Sequence, residues 1–569
     1  MKRATWTGLA LAAVTAGLTV GLGAQVSPDL YSGLQWRNIG PFRAGRVASV
    51  TGVIGQPGVF YIGLPLGGVW KTVSAGEVWY PVSDAVQGAD SIGAIAVAPS
   101  DPNIIYAGTG DLVTGGGINT GDGIYKSTDA GKTWTHIGLE GTQHINAILV
   151  DPKDPNLVLA STQGDLRHPG PDRGVYRSTD GGQNWTQVLH PDDSTGARDM
   201  AWAFDDPSVV FATTIADVGG GGGFGGGGGR GAAAGPNRTA LYKSADEGLT
   251  WTKVTGGTVP ELTGRTGVAV AMHTRGQRVF WIGNGLYRSD DGGATWTQMA
   301  ANDGRIRGSG YICAVYVDSQ NPDIVYTMAT SFYRSTDGGQ TFESWKGAPG
   351  GDDNHVLWID PTDGQRMLLG ADQGGVVSLD GGRTWSSWYN QATDQVYRIT
   401  TDTRYPYWVL ASQQDSGSTM IRSRSDFGRI TALDWWPVPA SEFGSIASDP
   451  LNPDIIYAQG YGPSGSSGSV TKISQSTGQW ENVGPNVGPN NHYRQDGNAR
   501  RMFDPTFDKH ALYMAYQCLT VTRDGGMSWR NFSPDVTVAK GQPELACGAE
   551  AAGTARGRGA GAAAGGRGG

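Results

Sequence analysis

The sequence predicts an all-β fold, a β-propeller built of about ten four-stranded blades. Three observations predict it. The stretch "KSTDAGKTW" (126–134) returns as "RSTDGGQNW" (177–185), "RSDDGGATW" (288–296) and "RSTDGGQTF" (334–342). Aligned on this motif the chain holds ten copies, most of them about 43 to 55 residues apart, which is the length of one blade. The composition, 91 Gly with 19 Trp and 21 Tyr in 569 residues, is that of many tight turns plugged by aromatic side chains.

Strong copies centre on Asp129, Asp180, Asp246, Asp291, Asp337, Asp380 and Asp524. A worn copy carries Ser74 in the Asp place, and two degenerate ones lie near Asp426 and Ser476. The longer interval between Asp180 and Asp246 carries the insertion "VGGGGGFGGGGGRGAAAGPNR". Each unit reads alike. An alternating or apolar strand such as "SIGAIAVA" is followed by a Pro-rich corner such as "DPKDPN", a second strand such as "IIYAGT", a variable loop, a third strand, the motif, and a fourth strand opening on Trp. The motif is therefore a hairpin turn. Asp129 and Ser127 can bind the backbone of their own loop, Gly131 permits the turn, and Trp134 can plug the space between blades. Trp185, Trp251, Trp296, Trp385 and Trp529 recur in the same role. Acids repeated around a rim cannot converge on one substrate, so the recurring Asp residues are structural.

The opening "MKRATWTGLALAAVTAGLTVGLGAQV" reads as a signal peptide over 1–24, which predicts a secreted or periplasmic protein. No other stretch is long and apolar enough to span a bilayer, so stable membrane insertion is not expected. A net charge of −9 argues against nucleic acid as a partner. Cys313, Cys518 and Cys547 allow one bridge at most and match no zinc spacing; no metal and no cofactor is expected. The Gly/Ala/Arg-rich tail, 538–569, is expected to be disordered.

The repeat residues S-x-D-x-G-x-T-W resemble the Asp box, or bacterial neuraminidase (BNR) repeat, found in sialidases, xyloglucanases, photosystem-assembly propellers and sortilin luminal (VPS10) domains. "WRNIGPFRAGRV", "GGVWKT", "ADQGGVVSLDGGRTW", "YPYWVLASQQDSGS" and "SPDV" more narrowly resemble a group of secreted bacterial sortilin-like, glycosyl-hydrolase-like repeat proteins. This resemblance covers about residues 31 to 537. It implies either a seven-bladed propeller (31–385) followed by three blades of a second (386–535), or a single ten-bladed ring of the sortilin type. The first is preferred, because the motif decays after the seventh repeat, and "LQWRNIG" is expected to supply an outer strand that closes a ring.

Loops vary on the face opposite the Asp boxes, and function usually sits where loops vary. The long loops begin at Gly110, Thr162 and Val218. Arg43, Arg46, His144, Asp352, Asp353, His355, Asp372, Gln373, Gln414 and Asp415 gather on that face as candidate binding residues, with Asp192, Asp193, Arg198, Asp199, Asp303, Arg305, Arg307 and Gln413 nearby. They suit a protein, peptide or glycan ligand. Asp353 and Asp372 are the candidate carboxylate pair for glycoside cleavage. Xyloglucanases carry an Asp just before the first "GG" blade motif, where this chain reads Leu64, Pro65 and Leu66. On that ground the expected function is a binding or scaffold propeller, with a polysaccharide-cleaving glycoside hydrolase as the alternative.

Overall fold

The computed structural model describes residues 27–86, 88–111, 119–216, 237–308, 312–347, 351–442, 445–459, 470–485 and 500–537. The signal peptide, the tail, Cys547, most of the Gly-rich insertion and the middle of the loop after Gly110 lie outside them. The described residues divide into two units, with the boundary between Ile39 and Gly40. In the first, Pro28–Tyr31 makes one 3-10 turn, and the expected outer strand from "LQWRNIG" is not formed.

The second unit is all-β. Among the described residues it contains ten antiparallel sheets, each a simple meander in chain order; nine have four strands and the seventh has three. The first sheet is Ser49–Gly52, Phe60–Leu64, Gly68–Thr72 and Trp79–Pro81. The seventh is Asn354–Asp360, Asp363–Ala371 and Gly374–Ser378, and the eighth is Val396–Thr401, Trp408–Gln413, Gly417–Arg422 and Trp435–Val438. In most sheets the second strand is well buried and the fourth is more exposed. Phe60–Leu64 is buried at every position, while Thr186–Leu189 of the third sheet is exposed at its first two. A strand with neither face exposed needs a neighbouring sheet on each side, which is the propeller arrangement.

The cores lie between consecutive sheets. Ile92, Ile105 and Ala107 of the second sheet pack on Val53 and Tyr61 beside and within the first; Leu159 and Val175 of the third pack on Met200, Val210 and Ala212 of the fourth. The series closes at the seventh sheet, where Leu368 and Val377 share a core with Val47, Phe60, Ile62 and Trp70. Ser49–Gly52 packs against Asn354–Asp360 and Asp363–Ala371. A single ring through all ten sheets would put the first against the tenth; the first packs on the seventh instead. Separate cores join the eighth sheet to the ninth through Leu410, Ile456 and Ile473, and the ninth to the tenth through Tyr457, Leu512 and Met514.

The recurring motif is the hairpin clasp. Asp129 Oδ1 accepts from Ser127 Oγ at 2.9 Å and Thr133 N at 2.8 Å, and its Oδ2 accepts from Thr133 Oγ1 at 2.7 Å. Gly131 N donates to Ser127 Oγ at 2.8 Å from a left-handed backbone, φ +87°, that suits glycine. The same bonds recur at Asp180, Asp246, Asp291, Asp337, Asp380 and Asp524. In the ninth sheet Asp454, from the preceding corner, takes the place of the missing acid and accepts from Ser474 and Ser476. The Trp residues are less uniform than the repeat predicts. Nε1 of Trp134, Trp185 and Trp529 reaches back to Val82, Ile137 and Val483 of the preceding repeat. Trp251 and Trp296 bond within their own hairpins, and Trp385 packs edge-on against Phe332.

Hydrogen bonds from the residue four places on hold Asp129, Asp180, Asp246, Asp291 and Asp524 down to about 2. A carboxyl depressed in the folded state binds fewer protons there than in the unfolded chain. Its stabilisation is present above the ordinary value of about 4 and is lost as pH falls towards 2. Thermal scans are expected to show a steep fall in midpoint between about pH 4 and 2. Asp129→Ala lowers the midpoint at neutral pH, loses one increment of that acid dependence, and leaves the candidate site untouched.

Candidate functional site

Three segments far apart in sequence meet at one rim. The entry to the first sheet carries Arg43 to Arg46. The tight turns between the second and third strands of the seventh and eighth sheets carry Asp372–Gln373 and Gln414–Ser416. They are stitched by hydrogen bonds. Val47 N donates to Ala371 O, and Gln413 Nε2 donates to Ala44 O at 2.9 Å. Gly45 is required by close approach: a Cβ there would lie 2.4 Å from Thr393 O and 2.8 Å from Gln395 N. This glycine lets residues 393–395, just before the eighth sheet, lie directly on the first sheet's entry.

At the centre Arg46 and Asp372 are fully buried. Arg46 Nε and Nη2 bind the two oxygens of Asp372 at 2.5 and 2.7 Å, and Nη2 also reaches Asp415 Oδ2 at 3.0 Å. His355 Nε2 donates to Asp372 Oδ1. Burial, with the Arg46 charge adding to it, pushes the His355 imidazole down to about 3. It is neutral at working pH, and its bond to Asp372 is a hydrogen bond rather than an ion pair. With both oxygens occupied, Asp372 holds Arg46 and is not free to act on a substrate.

Asp415 differs: its side chain keeps 21% of its surface in solvent. Its carboxyl neighbours those of Asp372 and Glu442, and its backbone N–H donates to Glu442 Oε2. Burial, then the neighbouring Asp372, pushes Asp415 up to about 6; burial, then Asp415, pushes Glu442 up to about 7. Carboxyls in contact cannot all ionise together, so the pair holds a proton into the neutral range. Gln414 Nε2 donates to Asp415 Oδ2 at 2.8 Å, and Tyr397 donates to Gln414 Oε1.

Two hollows flank this centre. An open groove of about 430 Å³ is lined by Arg43, Asp352, Gln373, Trp388, Tyr389 and Asp415. Tyr389 stacks on Trp435, and Arg43 lies over the same Trp435 ring at 5.9 Å. Gln373 Nε2 fixes Asp352 Oδ1 at 2.8 Å. A cavity of about 290 Å³ is lined by Arg46, Leu64, Leu66, Trp70, Asp84 and Asp394, among others. Asp394 has both carboxyl oxygens buried with no hydrogen-bond partner among the described residues. Burial pushes it up to about 7, opposed by Arg43.

The structure thus brings together Arg43, Arg46, Asp352, His355, Asp372, Gln373, Gln414 and Asp415. Asp353 joins through its backbone: its N–H donates to Thr330 O, and its carbonyl accepts from Asp372 N at 3.3 Å. His144 is buried in the third repeat with Nδ1 2.9 Å from Gly164 O. Asp192 and Asp303 pair with Arg238 and Arg305. Asp199 lines a central cavity of about 380 Å³, which His355 also lines, and accepts from Met200 N and Val268 N at 2.9 Å. Sequence reasoning missed Glu442 and Asp394. Neither belongs to a repeated motif; the available cue was that both are acids in the irregular segments bordering the eighth sheet.

No protein-family model matches the chain. A xyloglucanase from Paenibacillus sp. is 25% identical over 267 residues, covering 44% of this chain and 25% of that protein. The xyloglucanase Xgh74A of Acetivibrio thermocellus is 24% identical over 349 residues, covering 54% of this chain and 39% of that protein. The crystal structure of the Niastella koreensis GH74 enzyme superimposes with a TM-score of 0.51 at 15% identity, over 88% of this chain and 81% of that one. The likeness supports a glycosyl-hydrolase-related propeller. The chain spans between a quarter and two-fifths of the length of these two curated relatives. The expectation of a non-enzymatic binding or scaffold propeller is overturned by them, since the relatives matched are hydrolases. Folding brings Asp394 to the lining of the cavity that Leu64, Pro65 and Leu66 also line. Among the described residues, no helix is long and apolar enough to cross a membrane.

Proposed function

We propose that the chain is a glycoside hydrolase acting on a polysaccharide, with Asp415 and Glu442 as one carboxyl centre of the reaction. The observation that carries this reading is the proton-sharing, partly open Asp415, which lines one hollow with Trp388 and Tyr389 and is joined through Arg46 to a second lined in part by Trp70. Aromatic faces receive the apolar faces of sugar rings, and a carboxyl titrating near neutrality can exchange protons with a glycosidic centre. The similarity to xyloglucanases favours a xyloglucan-type glucan as the first substrate to test. We further infer that the clasps are Asp boxes of the BNR type and that the chain is exported by the signal peptide at 1–24. We also infer that residues 31–385 make a seven-bladed propeller and 386–535 three further blades. The hydrolase reading is tested by reducing-end release on a panel of polysaccharides. Release expected from at least one of them, and abolished by Asp415→Asn with the fold intact, supports it; no release from any member overturns it. Asp353→Ala serves as a control that retains activity.

A further inference from the structure

The central cavity of about 380 Å³ is walled by the first strands of the first, second, third, fourth, sixth and seventh sheets. Four of these strands carry a β-bulge: the second sheet at Gly93, the third at Asn146, the fourth at Arg198 and Asp199, and the seventh at His355. A bulge leaves its extra residue out of the ladder and re-aims its side chain. Every one of these bulge residues lines the cavity.

Most of their polar groups are already engaged. Asn146 Nδ2 donates to Gln163 Oε1 and Ala197 O, and His355 donates to Asp372. Asp199 accepts from Met200 N at one oxygen and Val268 N at the other. Arg198 differs. Its charge bears on Asp199, and on Cys313 and Tyr316, which line the same cavity. Yet among the described residues its guanidinium meets no hydrogen-bond acceptor and no ion-pair partner. A cation in a partly enclosed cavity attracts a counter-ion more strongly than one in open water. The planar guanidinium fork matches the two oxygens of a carboxylate. Towards the later ends of the same strands the walls become apolar and aromatic, at Ile54, Trp202, Phe204 and Trp358. One cation beside Asp199 suits a single negative charge better than a doubly charged phosphate.

We propose that the central cavity is a binding site for a small organic anion bearing one carboxylate, which pairs with Arg198 while its apolar body lies against Trp202 and Trp358. The proposal does not depend on the hydrolase reading above. It carries a pH dependence of known sign. Burial pushes Asp199 up to about 6, so at lower pH it is neutral and no longer opposes a bound anion. Burial also pushes the Cys313 thiol and the Tyr316 hydroxyl up and the His355 imidazole down to about 3, so these three stay neutral near pH 7. Arg198, and Arg265 near Cys313, keep their charge. Asp199 is then the group around the cavity that changes charge near neutrality.

The test is calorimetric titration of the full chain with benzoate, with its neutral isostere benzamide, and with inorganic phosphate. Benzoate is expected to bind the wild type at one site and benzamide at least about tenfold more weakly, since the neutral amide forfeits a charge-assisted pair. Arg198→Gln is expected to lose at least about tenfold of the benzoate affinity, and Arg198→Lys, which keeps the charge but not the fork, to lose less. Benzoate is expected to bind more tightly at about pH 5.5 than at about pH 8, because Asp199 is protonated at the lower value. The unfolding midpoint of Arg198→Gln without ligand is expected to match or exceed that of the wild type, because the variant removes a cation that has no partner; weaker binding is then not lost fold. A wild type that binds no benzoate, or binds phosphate alone, overturns the proposal. So does equal benzoate affinity in wild type and Arg198→Gln, or tighter binding at the higher pH.

Discussion

Arg46→Met lowers the free energy of unfolding by about 3 to 5 kcal/mol, the largest stability effect expected of any single substitution at this rim. Arg46 is fully buried and neutralises two carboxylates from two different sheets, Asp372 and Asp415. Its removal leaves Asp372 with only the neutral His355 as a donor and sets it directly against Asp415. Protonation of either of the two facing carboxyls relieves their repulsion, so the deficit grows as pH rises through the carboxyl range. Denaturant midpoints at pH 5 and pH 8 check this: the loss is expected to be smaller at pH 5. The double variant Arg46→Met/Asp372→Asn recovers part of it, because one of the stranded charges is then gone. Equal losses at both pH values, with no recovery in the double variant, would show that Arg46 acts through packing alone.

Asp415→Asn lowers kcat on the polysaccharide by about 10²- to 10⁴-fold while leaving the fold intact. The side chain is partly open, and asparagine can still accept from Arg46 Nη2, so its cost falls on chemistry more than on stability. In the wild type the acidic limb of the rate profile is expected near pH 6, well above the range of a free aspartate, because burial and Asp372 hold the proton on. In Asp415→Asn the Glu442 carboxyl loses the neighbour that pushes it up and titrates lower. Oligosaccharide binding, measured by calorimetry, should change little. A variant that binds and cleaves as the wild type does would remove Asp415 from the reaction.

The loop face was legible from the repeat alone. Once the clasp is a turn, the second-to-third-strand turns must lie at the opposite end, and Asp372, Gln373, Gln414 and Asp415 follow from counting strands. What each acid does was not legible there. Asp353 and Asp372 have the right side chains, yet Asp353 contributes backbone hydrogen bonds and Asp372 is neutralised by a residue 326 positions earlier. Glu442 and Asp394 belong to no repeat, and nothing in their local sequence marks them as buried.

By itself the sequence determined the all-β class, the number of sheets, the strand order within each and the role of the recurring Asp. These depend on interactions within about twenty residues: alternation, turn chemistry and the four-residue reach of a carboxylate to its own hairpin. The tertiary structure alone decided that the first sheet packs on the seventh, that the eighth is bound to the first sheet's entry at Gly45, and that Arg46 serves Asp372 and Asp415. The physical reason is that charge and solvation depend on what folding places within a few ångströms. One aspartate's chemistry is changed by whether a donor, an apolar wall or another acid arrives from hundreds of residues away.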